Sequence, residues 1–209
     1  MKVFYEDENI IVCEKSPGES SEAGNSSLPE KIAEHFREKD DNEEVFVVHR
    51  LDIGARGMMV FARNQKAAAY LSKQIADGTF RKEYDALIRG VPKQNEGVLT
   101  DYLFRDKSKN KTFVVKRERK GVRYAELSYK TIDTFKDEEG LVTHVHIVLK
   151  TGRTHQIRVQ FASRGMPLSG DRKYGAKDKR KELALVSTKL SFYLPFSEKR
   201  VEFETECNF

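Results

Sequence analysis

Residues Asn9 to Cys13 form a short apolar run suited to a strand, and the chain then passes into Ser16-Pro17-Gly18-Glu19-Ser20-Ser21 through Ser26-Ser27, which is turn and loop chemistry. That stretch is expected to be a mobile loop. Pro29 suits a first helical turn, and Ile32, Ala33 and Phe36 recur at helical spacing, so a helix is predicted from Leu28 or Pro29 to about Lys39. Val45 to Val48 reads as a buried strand leading into His49-Arg50-Leu51-Asp52 and a turn around Gly54 and Gly57. Met58 to Ala62 resumes the strand pattern. Asn64 is then placed to cap a helix with Ala68, Leu71 and Ile75 on one face, ended by Gly78.

From Phe80 to Arg89 the pattern alternates. Phe80, Lys82, Tyr84, Ala86 and Ile88 fall on one face, Arg81, Glu83, Asp85, Leu87 and Arg89 on the other. Between Arg105 and Arg123 lysine and arginine are dense and interleaved with Phe113-Val114-Val115, which predicts a basic hairpin. Leu141 to Leu149 alternates again, and Thr151-Gly152 breaks it. Thr154 is expected to cap a short helix ending near Gly165, with His155, Arg158 and Ala162 near one face. Two further strands, Ala184 to Leu190 and Arg200 to Glu204, close a chain with no internal repeat.

Composition narrows the class of protein. A length of 209 residues suits a single domain, residues 1–209, and 38% hydrophobic residues suffice for a core. The 34% charged residues and net charge of +5 favour a polyanionic partner. Cys13 and Cys207 lie near opposite ends without metal-ligand spacing, which fits a reducing compartment. The N-terminus turns acidic at Glu6-Asp7-Glu8, leaving no apolar stretch for a signal peptide, and no window is long and apolar enough to span a bilayer. A cytoplasmic, monomeric protein without membrane contact is expected.

Three segments carry candidate chemistry. His49-Arg50-Leu51-Asp52 places a carboxylate beside two potential cations at a strand end, although Arg-x-Asp there also serves as a plain surface ion pair. Lys82-Glu83-Tyr84-Asp85 sets an ammonium and an aromatic ring on one strand face, a pattern that packing alone also produces. Thr151-Gly152-Arg153-Thr154-His155-Gln156-Ile157-Arg158 joins a turn to a helix start with two arginines able to pair a carboxylate or phosphate through both prongs. His144 and His146 share a strand face, but no third ligand has matching spacing, so no metal is expected.

In this order the three segments resemble the RluA family of pseudouridine synthases, with signatures His-Arg-Leu-Asp, Lys-x-Tyr and Thr-Gly-Arg-Thr-His-Gln-Ile-Arg. Phe61-Ala62-Arg63, Ile88-Arg89-Gly90, Gly170-Asp171-x-x-Tyr174-Gly175 and Leu183-Ala184-Leu185 extend the resemblance over nearly the whole chain. It implies an α+β fold with a central, largely antiparallel mixed sheet flanked by helices. It also implies isomerisation of uridine to pseudouridine in ribosomal or transfer RNA, without metal or organic cofactor. Asp52 then corresponds to the catalytic aspartate, Tyr84 to the active-site tyrosine, and Arg158 to the arginine that pairs the aspartate. Arg50 looks like the residue that helps displace the target base, and His49, Arg56, Lys82, Arg153 and His155 join it as RNA contacts. No stretch remains ahead of these motifs for a small N-terminal RNA-binding domain, so recognition is expected to lie within the catalytic domain.

The reaction detaches uracil from ribose, rotates it and joins C5 to C1′. A carboxylate can attack C1′ or C6, or assist loss of the base through a glycal, and must be ionised. Arg158 would favour that ionised form, and Tyr84 could stack on uracil and help remove the C5 proton. The base must also leave its stack, which calls for a wedge, a pocket and a grip on the backbone. Ala55-Arg56 stands where Thr-Ser is usual in the family, Gln160 and Val186 where histidines are common, and Glu14-Lys15-Ser16-Pro17-Gly18 carries an extra residue; these departures bear on substrate choice. A catalytically inactive RNA-binding protein on the same scaffold is the alternative. A glycosidase with paired carboxylates finds no second acid in a matched motif.

Overall fold

A computed structural model describes residues 1–22, 24, 26–39 and 44–209. The chain divides into two compact units, residues 1–82 with 186–207 and residues 83–185 with 208–209. Among the described residues the strands pair mostly antiparallel, with three α-helices, as the α+β expectation requires.

In the first unit, β2 (Ile10–Lys15) pairs antiparallel with β1 (Val3–Glu6) on one side and β4 (Arg56–Ala62) on the other. The short β3 (Phe46–Val47) also pairs antiparallel with β4, giving the predicted strand–turn–strand around Asp52, but it is only two residues long and Val47 is exposed, where a buried strand over Val45 to Val48 is expected from the sequence. β4 runs parallel to β10 (Leu185–Tyr193), which is flanked by antiparallel β11 (Arg200–Glu204). Gly57 makes the parallel contact possible. Its φ of +115° and the closeness of Ser187, whose carbonyl would lie 2.3 Å from an added Cβ, admit no side chain.

Two helices accompany this unit. α1 (Leu28–Arg37) has Ser27 as its cap, accepting from the Glu30 amide, and Pro29 in its first turn. α2 (Gln65–Ala76) is capped by Asn64, which accepts from the Ala67 amide at 2.8 Å, and Gly78 follows it with φ +73°. Leu71 of α2 meets Ile10, Val12, Met58, Val60, Phe80, Leu190 and Phe192 in the core.

The second unit orders its strands β5 (Arg81–Arg89), β9 (Gly140–Leu149), β8 (Val122–Asp137), β6 (Glu96–Asp106) and β7 (Lys111–Val115). β6 and β7 form the predicted basic hairpin. The short α3 (Gln156–Ala162) covers one face of this sheet, with Val159 against Leu103 and Ala125. β8 was not legible as a strand, because its outer half is exposed on both faces and carries no apolar alternation. Among the described residues, no helix is long and apolar enough to cross a membrane.

Candidate active site

Asp52 lies in the connection between β3 and β4, and the backbone on both sides of it is tied down. The Ala55 amide donates to the Asp52 carbonyl at 3.0 Å, closing a turn. Lys15, the last residue of β2, is fully buried, and its Nζ donates to the carbonyls of Ser16, Ile53 and Ala55 at 3.0, 3.0 and 2.7 Å. Inward-facing carbonyls in a turn have no strand partner, and an ammonium with three protons satisfies all of these. Burial pushes Lys15 down to about 8, opposed by the Glu19 and Asp52 carboxylates.

Ser21 approaches from the other side. Its Oγ donates to the Leu51 carbonyl at 2.9 Å and accepts from the Leu51 amide at 3.3 Å, while the Gly18 amide donates to the Ile53 carbonyl at 2.8 Å. The segment expected to be a mobile loop is therefore pinned to the Asp52 turn at residues 18 and 21; Ala23 and Asn25 lie outside the described residues. The pinning arises because this loop supplies hydrogen bonds that the turn cannot make within itself.

The flanking residues divide. His49 is 7% exposed; its Nε2 accepts from the Val60 amide at 3.1 Å and its ring lies 5.6 Å from that of Phe80. Burial, with the Lys82 ammonium second, pushes His49 down to about 3, so it is a neutral imidazole protonated on Nδ1. The expectation of an RNA contact at His49 is corrected: it belongs to the interior and holds β4. Arg50 reaches the surface, where it pairs Glu22 at 2.7 Å. Arg56 is half-buried at the start of β4, opposite Val186.

On β5, Tyr84 is 4% exposed and Lys82 is half-buried, with burial lowering the pKa of its ammonium. Ala86 and Ile88 on the same strand face are fully buried, in line with the sequence alternation.

In the second unit, Arg158 of α3 is gripped through both prongs by Asp171, Nε to Oδ2 at 2.7 Å and Nη2 to Oδ1 at 2.8 Å. Its guanidinium carbon stands 5.1 Å from the centre of the Tyr174 ring. The Tyr174 hydroxyl accepts from the Thr112 amide at 2.9 Å and lies 2.9 Å from His155 Nδ1, and burial pushes its phenol pKa up. Asp171 and Tyr174 stood in the sequence within a matched motif, but with no role attached.

The turn ahead of α3 differs from expectation. His155 takes φ +55° and precedes the helix, so it does not share a helical face with Arg158, and Thr154 is not the cap. The Thr154 carbonyl instead accepts from Thr112 Oγ1 at 2.9 Å. Gln156 closes the turn, accepting from the Arg153 amide at 3.0 Å and from Thr151 Oγ1 at 2.8 Å. Arg153 is exposed, its Nε donating to the Tyr124 carbonyl at 3.0 Å.

His144 and His146 meet carboxylates that spacing within their own strand could not reveal. His144 Nε2 lies 2.6 Å from Asp85, and the two ring nitrogens of His146 face Asp85 at 3.2 Å and Glu83 at 3.0 Å. The Asp85 hydrogen bond chiefly raises the His146 pKa. Both ring nitrogens of His146 are thus engaged by carboxylates. Of the departures from the family pattern, Ala55, Gln160 and Val186 are buried, and Gln160 donates to the Leu99 carbonyl at 3.1 Å and to Asp101 at 2.8 Å. These are packing differences.

Comparison with known proteins gives the family and the fold. The model of the RNA pseudouridylate synthase family matches residues 9–163. An uncharacterized RNA pseudouridine synthase of Aquifex aeolicus is 33% identical over 99% of this chain and 69% of its own length. The dual-specificity RNA pseudouridine synthase RluA of Vibrio parahaemolyticus is 29% identical over 99% of this chain and 83% of its own. Human RNA pseudouridylate synthase domain containing 1 superposes with a TM-score of 0.81 over 98% of this chain and 82% of that one, at 20% identity, which speaks for the fold. With the ordered motifs on that fold and a family match running from Asn9 to Ser163, the chain belongs to the RNA pseudouridylate synthase family, isomerases that act on RNA.

Proposed function

We propose that this chain isomerises uridine to pseudouridine in ribosomal or transfer RNA with Asp52 as the nucleophile, its two units acting as one catalytic domain. The observation that carries the reading is the construction of the Asp52 turn. Lys15, Ser21 and Gly18 bond the backbone of Leu51, Ile53 and Ala55, so the position of the carboxylate is set through its neighbours' carbonyls and amides. A preset nucleophile needs little reorganisation when the flipped uridine arrives.

In this reading Arg158 is the arginine that serves the aspartate, and its orientation is inherited from Asp171. Tyr84 stacks on the uracil ring and assists removal of the C5 proton. Arg50 helps to displace the base, and Arg56, Lys82, Arg153 and His155 contact the RNA. All steps use side chains of the protein, without metal or organic cofactor, in a cytoplasmic monomer.

The test uses ribosomal and transfer RNA carrying tritium at uridine C5. The parent protein releases label, whereas Asp52→Asn releases none while keeping its circular dichroism spectrum and RNA binding. Turnover by the Asn variant would remove Asp52 from its role. Binding without release by the parent on both RNAs would mark the chain as a non-catalytic RNA-binding protein.

A further inference from the structure

We propose that a cleft in the second unit seats one phosphodiester of the RNA backbone between Arg105, Arg123 and Arg153; this rests on the RNA substrate proposed above. The register of the hairpin brings the three together. Arg105 of β6 stands opposite Thr112 of β7, and Arg123 of β8 stands opposite Leu103 of β6. Leu103 and Arg105 are two residues apart on one strand and so share a face, the face that α3 covers through Val159 against Leu103. Arg153 comes from the turn before α3, tethered by the Tyr124 carbonyl.

Together they line a cleft of about 200 Å³. Leu103 and Thr112, 3% and 2% exposed, form its floor. Gly121 leaves its side open: a Cβ there would meet nothing nearer than the Phe104 ring at 3.7 Å.

Charge identifies the occupant. Among the described residues no carboxylate lines the cleft, and Asp106 and Glu126 on the same strands are engaged elsewhere. Asp106 accepts from Ser108 Oγ at 2.7 Å and the Lys109 amide at 3.1 Å. Glu126 accepts from the Tyr124 hydroxyl at 2.6 Å and pairs Lys150 at 3.2 Å. Three guanidinium groups around one small cleft repel one another until an anion enters, and their planar forks match phosphate oxygens. Among the described residues the lining holds no aromatic ring, which favours a phosphate over a stacked base.

The experiment measures binding of ribosomal RNA over a range of salt concentrations for Arg105→Gln, Arg123→Gln and the double variant. A seat shared by one phosphate predicts that each single variant and the double flatten the slope of log affinity against log salt alike, by about 0.7 to 0.9. Affinity should fall about tenfold in each single variant. An unchanged slope, or a loss in the double that is the sum of the singles, overturns the shared seat. Titration of the parent with inorganic phosphate, followed by NMR of arginine Nε–H signals, uses no RNA. Joint shifts of Arg105, Arg123 and Arg153 are expected, and their absence also overturns the seat. Such shifts in a protein that releases no tritium from any RNA would leave the cleft standing and sink the function.

Discussion

The two motif-bearing regions are built by different means. Around Asp52 the holding groups are a buried ammonium, a serine and backbone amides, and they bond the main chain of the acid's neighbours. Around Arg158 the holding group is a carboxylate, Asp171, that grips the functional side chain itself. An acid held through its backbone has its place set by the main chain on either side of it. A long flexible cation cannot be fixed in that way, because its rotamers must be frozen by a partner at its tip. The acid should therefore be sensitive to changes in the chain around it, and the cation to changes in one opposing side chain.

The largest effect that would sharpen this contrast, after loss of all turnover in Asp52→Asn, is expected in Arg158→Lys. An ammonium cannot reproduce the two-pronged pairing with Asp171, and misplacement of the charge should reduce the rate of tritium release on the order of a hundredfold. Parental rates in the Lys variant would break the comparison, because a point charge would then suffice.

Lys15→Met should come next. It strips the Ala55 carbonyl of its Lys15 donor and leaves the Ile53 carbonyl with the Gly18 amide, and the loss should cost about 2 kcal/mol in urea unfolding. A variant as stable as the parent would show that the Asp52 turn holds itself. The pH dependence gives an independent reading. The folded pKa of Lys15, about 8, lies below the unfolded value of 10.5, so the folded chain sheds this proton first. The Lys15 contribution to stability then rises between about pH 8 and 10.5, and the deficit of Lys15→Met should widen over that window.

The smallest effect belongs to Arg56→Ser, at the end of the same connection. Arg56 is half-buried at the first position of β4, and removing one phosphate contact should flatten the salt slope of RNA binding by about one or somewhat less. An unchanged slope would make Arg56 a packing difference like Ala55, Gln160 and Val186.

Much of this molecule was legible in its sequence. Local rules placed both N-terminal helices and the Asn64 cap of the second, the alternation around Tyr84 and the basic hairpin, because periodicity and capping act within a few residues. The resemblance named the acid, the tyrosine and the arginine. What escaped was the set of partners. Lys15 bonds carbonyls about 40 residues away, Asp85 meets histidines about 60 away, and Thr112 meets Thr154 across 42. His49 sat in a motif with Arg50, yet one went inside and the other to the surface. His155 left the helix because its turn is closed by Gln156. The sequence by itself determined which residues carry chemistry and which short elements carry them. Only the tertiary structure decided what holds each one, since hydrogen-bond partners are selected by sheet register and burial, and these depend on contacts between distant segments rather than on spacing along the chain.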